Sequence, residues 1–194
     1  MSGPRLEISE DWASVMRRAK ALEAAAFDEI VDAYAGRLYG FFQRMLGGRE
    51  EAEDLVQEVF VRVVKGIAEY REEGRFEAWL FRIAGNLIRD RGRREPRETA
   101  IGMGGDDNAV DLETPTDRHA SGVRDNLEHR EDVDRLQKCL AKLPSVEREV
   151  VLMRHYGELS FAEIAEYTAA PLGTVLARAH RGLAKLRQWM ESSR

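Results

Sequence analysis

Between residues 70 and 93 the chain places aromatic rings, arginines and one amide at helical spacing. Arg82, Asn86, Arg89 and Arg93 fall within about 60° of one another at 100° per residue. Trp79 sits at the edge of that stripe, and Tyr70 and Arg71 open the loop before it. Rings stack on unpaired bases, guanidinium groups neutralise phosphates, and an amide hydrogen-bonds a base edge. This is the equipment for holding a single strand of nucleic acid, although Trp79 and Phe81 fit a helix core equally well. A second candidate surface lies upstream, where Asp54, Gln57, Glu58 and Arg62 recur at steps of three and four. Such an acidic and amide patch can dock a basic partner helix, and an ordinary solvated helix face has the same pattern. A third lies near the C-terminus. Thr174, Ala177, Arg178, Arg181, Lys185 and Gln188 share one side of a helix, with Val175, Ala179, Leu183, Leu186 and Met190 opposite. Arginine and lysine there can pair phosphates and guanine edges, and the small residues permit close approach to a groove.

Other chemistry is not evident. There is no phosphate-cradling Gly-x-x-x-x-Gly-Lys-Ser/Thr loop, and Gly102, Gly104 and Gly105 lie in an acidic stretch with no strand before them. His119, His129, His155 and His180 have no paired metal-ligand spacing, so no metal and no cofactor is expected. The single cysteine, Cys139, lies among apolar residues and reads as packing. One cysteine also fits a reducing, cytoplasmic setting. No apolar run approaches the roughly 18–20 residues needed to span a bilayer, and Met1 to Asp11 lacks the apolar core of a secretory signal.

The elements that must position these residues are helices, and strand-type alternation is absent. Residues 1–25 include a helical stretch with few large apolar side chains, to which the sequence assigns no task. Phe27, Ile30, Tyr34, Leu38, Phe41 and Met45 mark a first strong helix, ended by Gly47-Gly48. Ala52, Leu55, Val56, Val59, Phe60, Val63 and Val64 mark a second, and Phe76, Leu80, Ile83 and Leu87 a third. Periodicity then stops, resuming near Leu127 with Val133, Leu136, Leu140 and Leu143, halted by Pro144. Ser145 is placed to cap the next helix. Ser160 and Glu163 form a capping box for a short helix, and a turn at 168–171 leads into the basic one. A short capped helix, a turn and a longer basic helix make a helix-turn-helix; a solvated basic face on a core helix requires the same spacing to arise by coincidence.

Charge divides the chain at the same places. Its 194 residues carry a net charge of -5. From Glu98 to Asp134 there are 11 acids against three arginines, whereas Arg135 to Arg194 carries 10 bases against six acids. The expectation is an all-α chain of two helical domains joined by a flexible acidic linker: an extension over 1–25, a first domain over 26–94, the linker over 95–126 and a second domain over 127–194.

These segments together resemble the extracytoplasmic function (ECF) group of sigma factors in the sigma-70 family. The resemblance rests on Asp54-Leu55-Val56-Gln57-Glu58-Val59-Phe60 and on the run from Phe76 to Asn86. In the second half it rests on Leu143-Pro144, Arg148 to Arg154, Leu159 to Ala165 and Gly173-Thr174-Val175. It implies an alternative sigma factor that binds core RNA polymerase and directs promoter recognition and DNA opening, and that catalyses nothing itself. Asp54, Gln57, Glu58 and Phe60 would contact the coiled coil of the β′ subunit. Tyr70, Arg71, Trp79, Arg82, Asn86, Arg89 and Arg93 would open and read the -10 element of promoter DNA. The second domain would dock on the β flap and place Thr174, Ala177, Arg178, His180, Arg181 and Lys185 at the -35 element. The acidic linker would thread toward the polymerase cleft, and an anti-sigma factor would restrain the free chain. Two other readings compete: a sigma-like mimic that titrates an anti-sigma factor, and a helix-turn-helix regulator that needs no polymerase-binding region. Where the family commonly carries hydrogen-bonding side chains after Gly-Thr-Val, this chain has Leu176 and Ala177, which suggests a shifted -35 preference read through thymine methyls.

Overall fold

In the computed structural model, residues 10–71, 75–94 and 123–192 are described. They form eight helices and, among the described residues, no strand: α1 (Glu10–Lys20), α2 (Ala24–Leu46), α3 (Arg49–Gly66), α4 (Phe76–Arg94), α5 (Val123–Lys142), α6 (Ser145–Tyr156), α7 (Phe161–Thr168) and α8 (Leu172–Ser192). The all-α expectation is met. Nearly all of the expected linker lies outside the described residues, and α5 starts four residues before the expected resumption at Leu127.

Helix α2 is the axis of the molecule. Ile30, Tyr34, Leu38 and Phe41 are fully buried, as their spacing requires, and α2 ends where Gly47 adopts φ 85° and its N–H bonds the Gln43 carbonyl at 2.7 Å. A left-handed residue at this position is the usual helix stop, and glycine takes it without a Cβ penalty. The same helix also buries Gly40, Phe42 and Gln43, so apolar contact extends around more than one face. The reason is long-range: α5 and α6 cover the side of α2 that its own three-helix neighbourhood leaves open.

Three local expectations are corrected. The N-terminal stretch is part of the core: Val15, Met16 and Ala19 of α1 are buried, and Trp12 meets Tyr34 and Phe76 edge-on at 5.6 and 5.5 Å. Val15, Met16 and Ala19 with one tryptophan suffice to fill that groove. Ser145 does not cap α6. The Pro144 carbonyl already accepts the N–H groups of Glu147 and Arg148 at 2.9 and 3.0 Å, so Pro144 is the cap and Ser145 the first helical residue. Leu183 and Val64, expected on apolar faces, are 53% and 45% exposed. In α8 the buried face centres on Val175, Ala179, Gly182 and Leu186, because Gly182 admits the Val151 side chain of α6; Leu183 lies beyond its edge. The capping box of α7 is present as expected, with the Ser160 hydroxyl accepting the Glu163 N–H at 3.2 Å and the Glu163 carboxylate accepting the Ser160 N–H at 2.8 Å. Cys139 is buried among apolar side chains, consistent with packing.

Candidate nucleic-acid and polymerase interface

Helix α3 carries its candidate patch on the outside. Asp54 and Gln57 are exposed, and Glu58 is half-buried and accepts from Arg62 Nε at 2.8 Å. Phe60 is half-buried against the core edge, next to the exposed Val61. The described face thus combines acids, an amide and apolar carbon, the mixture that a basic amphipathic helix can meet.

The aromatic end of the -10 set is a packed cluster. Tyr70 is buried, its ring 5.6 Å from Phe76 and 4.8 Å from Trp79. Trp79 is half-buried and leans on Gly66 at the end of α3, where a Cβ would come within 3.2 Å of the indole. Tyr70, expected among the residues that open and read the -10 element, packs its ring against Phe76 and Trp79. Arg71 and Asn86 are exposed. Arg93 belongs to α4, but its side chain lies outside the described residues.

The arginine stripe meets the second half of the chain. Arg82 pairs with Glu166 through a 2.5 Å contact, and Arg75 reaches Glu163 at 3.2 Å and Glu166 at 3.6 Å. Arg89 Nε is 3.3 Å from Glu149, and its guanidinium stands 4.2 Å from the centroid of the Tyr167 ring. The Tyr167 hydroxyl donates to Glu149 at 3.3 Å; burial, then Glu149, push its ionisation well above the usual phenol range. The hydrogen bond from Arg82 and its charge hold Glu166 below the usual carboxylate range. At Glu163 burial favours the neutral acid, but the bonds from Ser160 and the charge of Arg75 outweigh it and lower the pKa.

Backbone carbonyls extend this contact along α2. Arg37 donates from Nε and Nη2 to the Tyr156 carbonyl at 2.9 and 2.7 Å. Arg148 donates to Met45 of α2 at 2.8 Å, and to Ala141 and Leu143 at the end of α5 at 2.8 and 3.1 Å. It therefore satisfies the open carbonyl ends of two helices at once. Two glycines permit the approach. A Cβ on Gly40 would stand 2.6 Å from the Tyr156 ring, and one on Gly85 would collide with the Tyr167 hydroxyl and the Met153 methyl.

On α8, Thr174, Ala177 and Arg178 are half-buried and His180 and Arg181 exposed. Arg181 and Lys185 both bond Glu147 of α6, at 3.2 and 2.9 Å. Glu147 is itself buried, and the hydrogen bond from Lys185, opposed by burial and aided by Arg181, holds it ionised below the usual carboxylate range. Leu176, expected to act with Ala177 against thymine methyls, is exposed and set apart from Arg181 and Lys185 on α8. Five and nine residues separate Leu176 from Arg181 and Lys185, which places it about 140° and 180° away from them. It joins Leu172 and Leu183 in an exposed apolar stripe, 44–53% accessible. Sequence reasoning missed Glu149, Glu163 and Glu166 as partners of the arginine stripe; Gly40 and Gly85, helix-interior glycines away from any cap, were the available signal.

Comparison with known proteins finds matches in both halves of the chain. Residues 30–98 match the model of Sigma-70 region 2, and residues 134–186 that of Sigma-70, region 4. The chain is similar to the ECF RNA polymerase sigma factor SigW of Bacillus subtilis, 35% identical over 178 residues that cover 89% of this chain and 93% of SigW. Among solved structures it resembles CnrH, determined in complex with the cytosolic domain of CnrY, at a TM-score of 0.65 and 21% identity over 93% of this chain and 97% of that one. It also resembles the sigma factor RpoE of Bartonella quintana, determined with the anti-sigma factor NepR, at a TM-score of 0.64 and 20% identity over 87% of this chain and 98% of that one. These two likenesses concern the fold. With both sigma regions matched in order and a full-length relative above 30% identity, the chain belongs to the ECF group of the sigma-70 family, the alternative sigma factors that direct RNA polymerase to promoters.

Proposed function

We propose that residues 26–94 hold core polymerase and read the -10 element, that 127–194 read the -35 element, and that 95–126 link them. The observation that carries this reading is the division of labour on three helices: an exposed Asp54/Gln57 patch on α3, an arginine stripe beside exposed Asn86 on α4, and a basic face on α8. Asp54, Gln57, Glu58 and Phe60 meet the β′ coiled coil. Arg82, Arg89 and Arg93 pair phosphates of the opened strand, Trp79 gives one edge of a base platform, and Asn86 receives an unstacked base. Tyr70 acts by holding Trp79, and the exposed Arg71 adds a phosphate contact beside them.

On α8, Thr174, Ala177, Arg178, His180, Arg181 and Lys185 face the major groove. The stripe of Leu172, Leu176 and Leu183 lies away from Arg181 and Lys185 and beside His180 on the same helix, where it supports docking on the polymerase flap. The chain acts without catalysis of its own and works in the cytoplasm; among the described residues no helix is long and apolar enough to cross a membrane. An anti-sigma factor restrains it, a reading supported by the neighbour solved with an anti-sigma factor.

Capture of core polymerase by immobilised wild-type chain and by an Asp54→Ala/Gln57→Ala variant tests the α3 assignment. A loss of capture of about tenfold, with helicity unchanged, is expected for two central polar contacts; equal capture refutes it. Absence of capture by the wild type would favour a helix-turn-helix regulator. Capture without initiation from genomic promoters would favour a mimic.

A further inference from the structure

Two of the arginines assigned to promoter DNA, Arg82 and Arg89, are occupied by the protein itself, and so is Arg75 just before α4. Arg75, Arg82 and Arg89 face Glu163, Glu166 and Glu149, and Arg89 also lies over the ring of Tyr167. Helices α6 and α7 therefore offer α4 three carboxylates and one aromatic ring stacked on a guanidinium. Carboxylates near arginine and a ring on its face are the chemical counterparts of phosphates and an unstacked base. Asn86, the candidate base reader, remains exposed. The covered groups, Arg82 and Arg89, belong to the sequence-independent part, the phosphate contacts from which most affinity for single strands arises.

We infer that this packing is an electrostatic self-mask: α6 and α7 stand in for single-stranded DNA on α4 and must leave before the strand can bind. The mask and the strand exclude each other because they use the same guanidinium groups. Glu149 is the buried member of the set, with 11% of its side chain accessible, while Glu166 is open to solvent at 59%. Water and salt can reach the outer pair first, so the mask loosens from the Glu166 side. Its steric half is the fit of Tyr167 and Tyr156 over Gly85 and Gly40. Opening also exposes the Arg37 and Arg148 contacts to α6 and α2, so ionic release and separation of the two halves are one event. The ion pairs inside the second half, Glu147 with Arg181 and Lys185, do not cross this seam and are unaffected.

The consequence for DNA rests on the -10 role proposed for α4, whereas the mask itself does not, and the test separates them. The full-length Glu149→Gln/Glu166→Gln variant removes the charges while a glutamine at 149 can still accept the Tyr167 hydroxyl. Its net-charge control is Asp32→Asn/Glu191→Gln, two exposed positions away from the seam. Small-angle scattering at low and high salt reads separation of the halves, and fluorescence anisotropy with a labelled mixed-sequence single-stranded DNA reads binding. The masked chain should gain about three- to tenfold in affinity when the two glutamates are neutralised, because apparent affinity scales with the open fraction. The radius of gyration should rise in the same variant, and in the wild type with added salt. Equal gains in the control variant, or a compact variant indistinguishable from wild type, would overturn the mask. Expansion without any gain in DNA binding would overturn its role as a stand-in for DNA. Should the double variant fail to fold, Glu166→Gln alone, at an exposed position, carries the same two readouts.

Discussion

Gly40→Ala isolates the steric side of the closed arrangement. Within α2 the substitution favours the helix by roughly 1 kcal/mol whether the halves are together or apart. When they are together the new methyl stands 2.6 Å from Cε1 of Tyr156. That ring has little freedom to move. Arg44 lies 5.3 Å from its centroid, His155 packs edge-on at 4.9 Å, and the Tyr156 carbonyl is held by Arg37. Overpacking of this kind costs about 1–3 kcal/mol. The closed-to-open ratio should fall about five- to hundredfold, since every 1.4 kcal/mol is a factor of ten. Gly36→Ala on the same helix is the matched control, because nothing lies within 4 Å of its added methyl. Small-angle scattering should show Gly40→Ala expanded and Gly36→Ala compact, with circular dichroism equally helical in both. A compact Gly40→Ala chain would refute the reasoning: it would mean that Tyr156 yields and that the fit over Gly40 does not hold the halves together.

Other expectations follow from single contacts. Arg148→Ala removes the charge-assisted bonds to Met45, Ala141 and Leu143. A loss of about 2–4 kcal/mol is expected, or about 5–15 °C in melting temperature for a chain of this size; a shift under about 2 °C would show that water replaces the guanidinium freely. Stability should fall in acid. Glu147, Glu163 and Glu166 have folded pKa values below the usual range. Their contribution is complete above the unfolded carboxylate value of about 4.3 and drains as pH falls through the lower folded values. His155 is lowered by burial and then by Arg44. Its contribution has the same sign at a higher window, full above about 6.5 and lost as pH falls. Thermal melts from pH 7 to 3 should show both steps, and a melting temperature that is flat or rises toward acid would contradict them. Asn86→Ala should impair strand opening, read by permanganate, more than duplex binding, read by gel shift; equal loss of both would remove Asn86 from base reading.

The helices were legible because each carries its own period. Ile30, Tyr34, Leu38 and Phe41 recur at three- and four-residue steps, and the Ser160/Glu163 box is complete within four residues. The failures share a cause, which is that the deciding atoms lie far away in sequence. Phe42 and Gln43 are buried because α5 and α6 cover them, and Leu183 is exposed because Gly182 rather than Leu183 takes the Val151 side chain. Ser145 is a good cap residue standing one position too late, after a proline whose carbonyl already starts the helix. The arginine stripe of α4 was readable from residue type and spacing. Its counterions were not, since Glu149 and Glu166 have the composition of an ordinary solvated face and lie 60 or more residues from Arg89 and Arg82.

The most direct test of the central claim is transcription by reconstituted polymerase. Purified full-length chain, core RNA polymerase and fragmented genomic DNA are mixed, and transcript starts are mapped with and without the chain. The account predicts discrete starts that depend on the chain and share two spaced upstream motifs, lost with Asp54→Ala/Gln57→Ala. Starts that are the same in its absence, or chain-dependent starts with no common upstream elements, would contradict it.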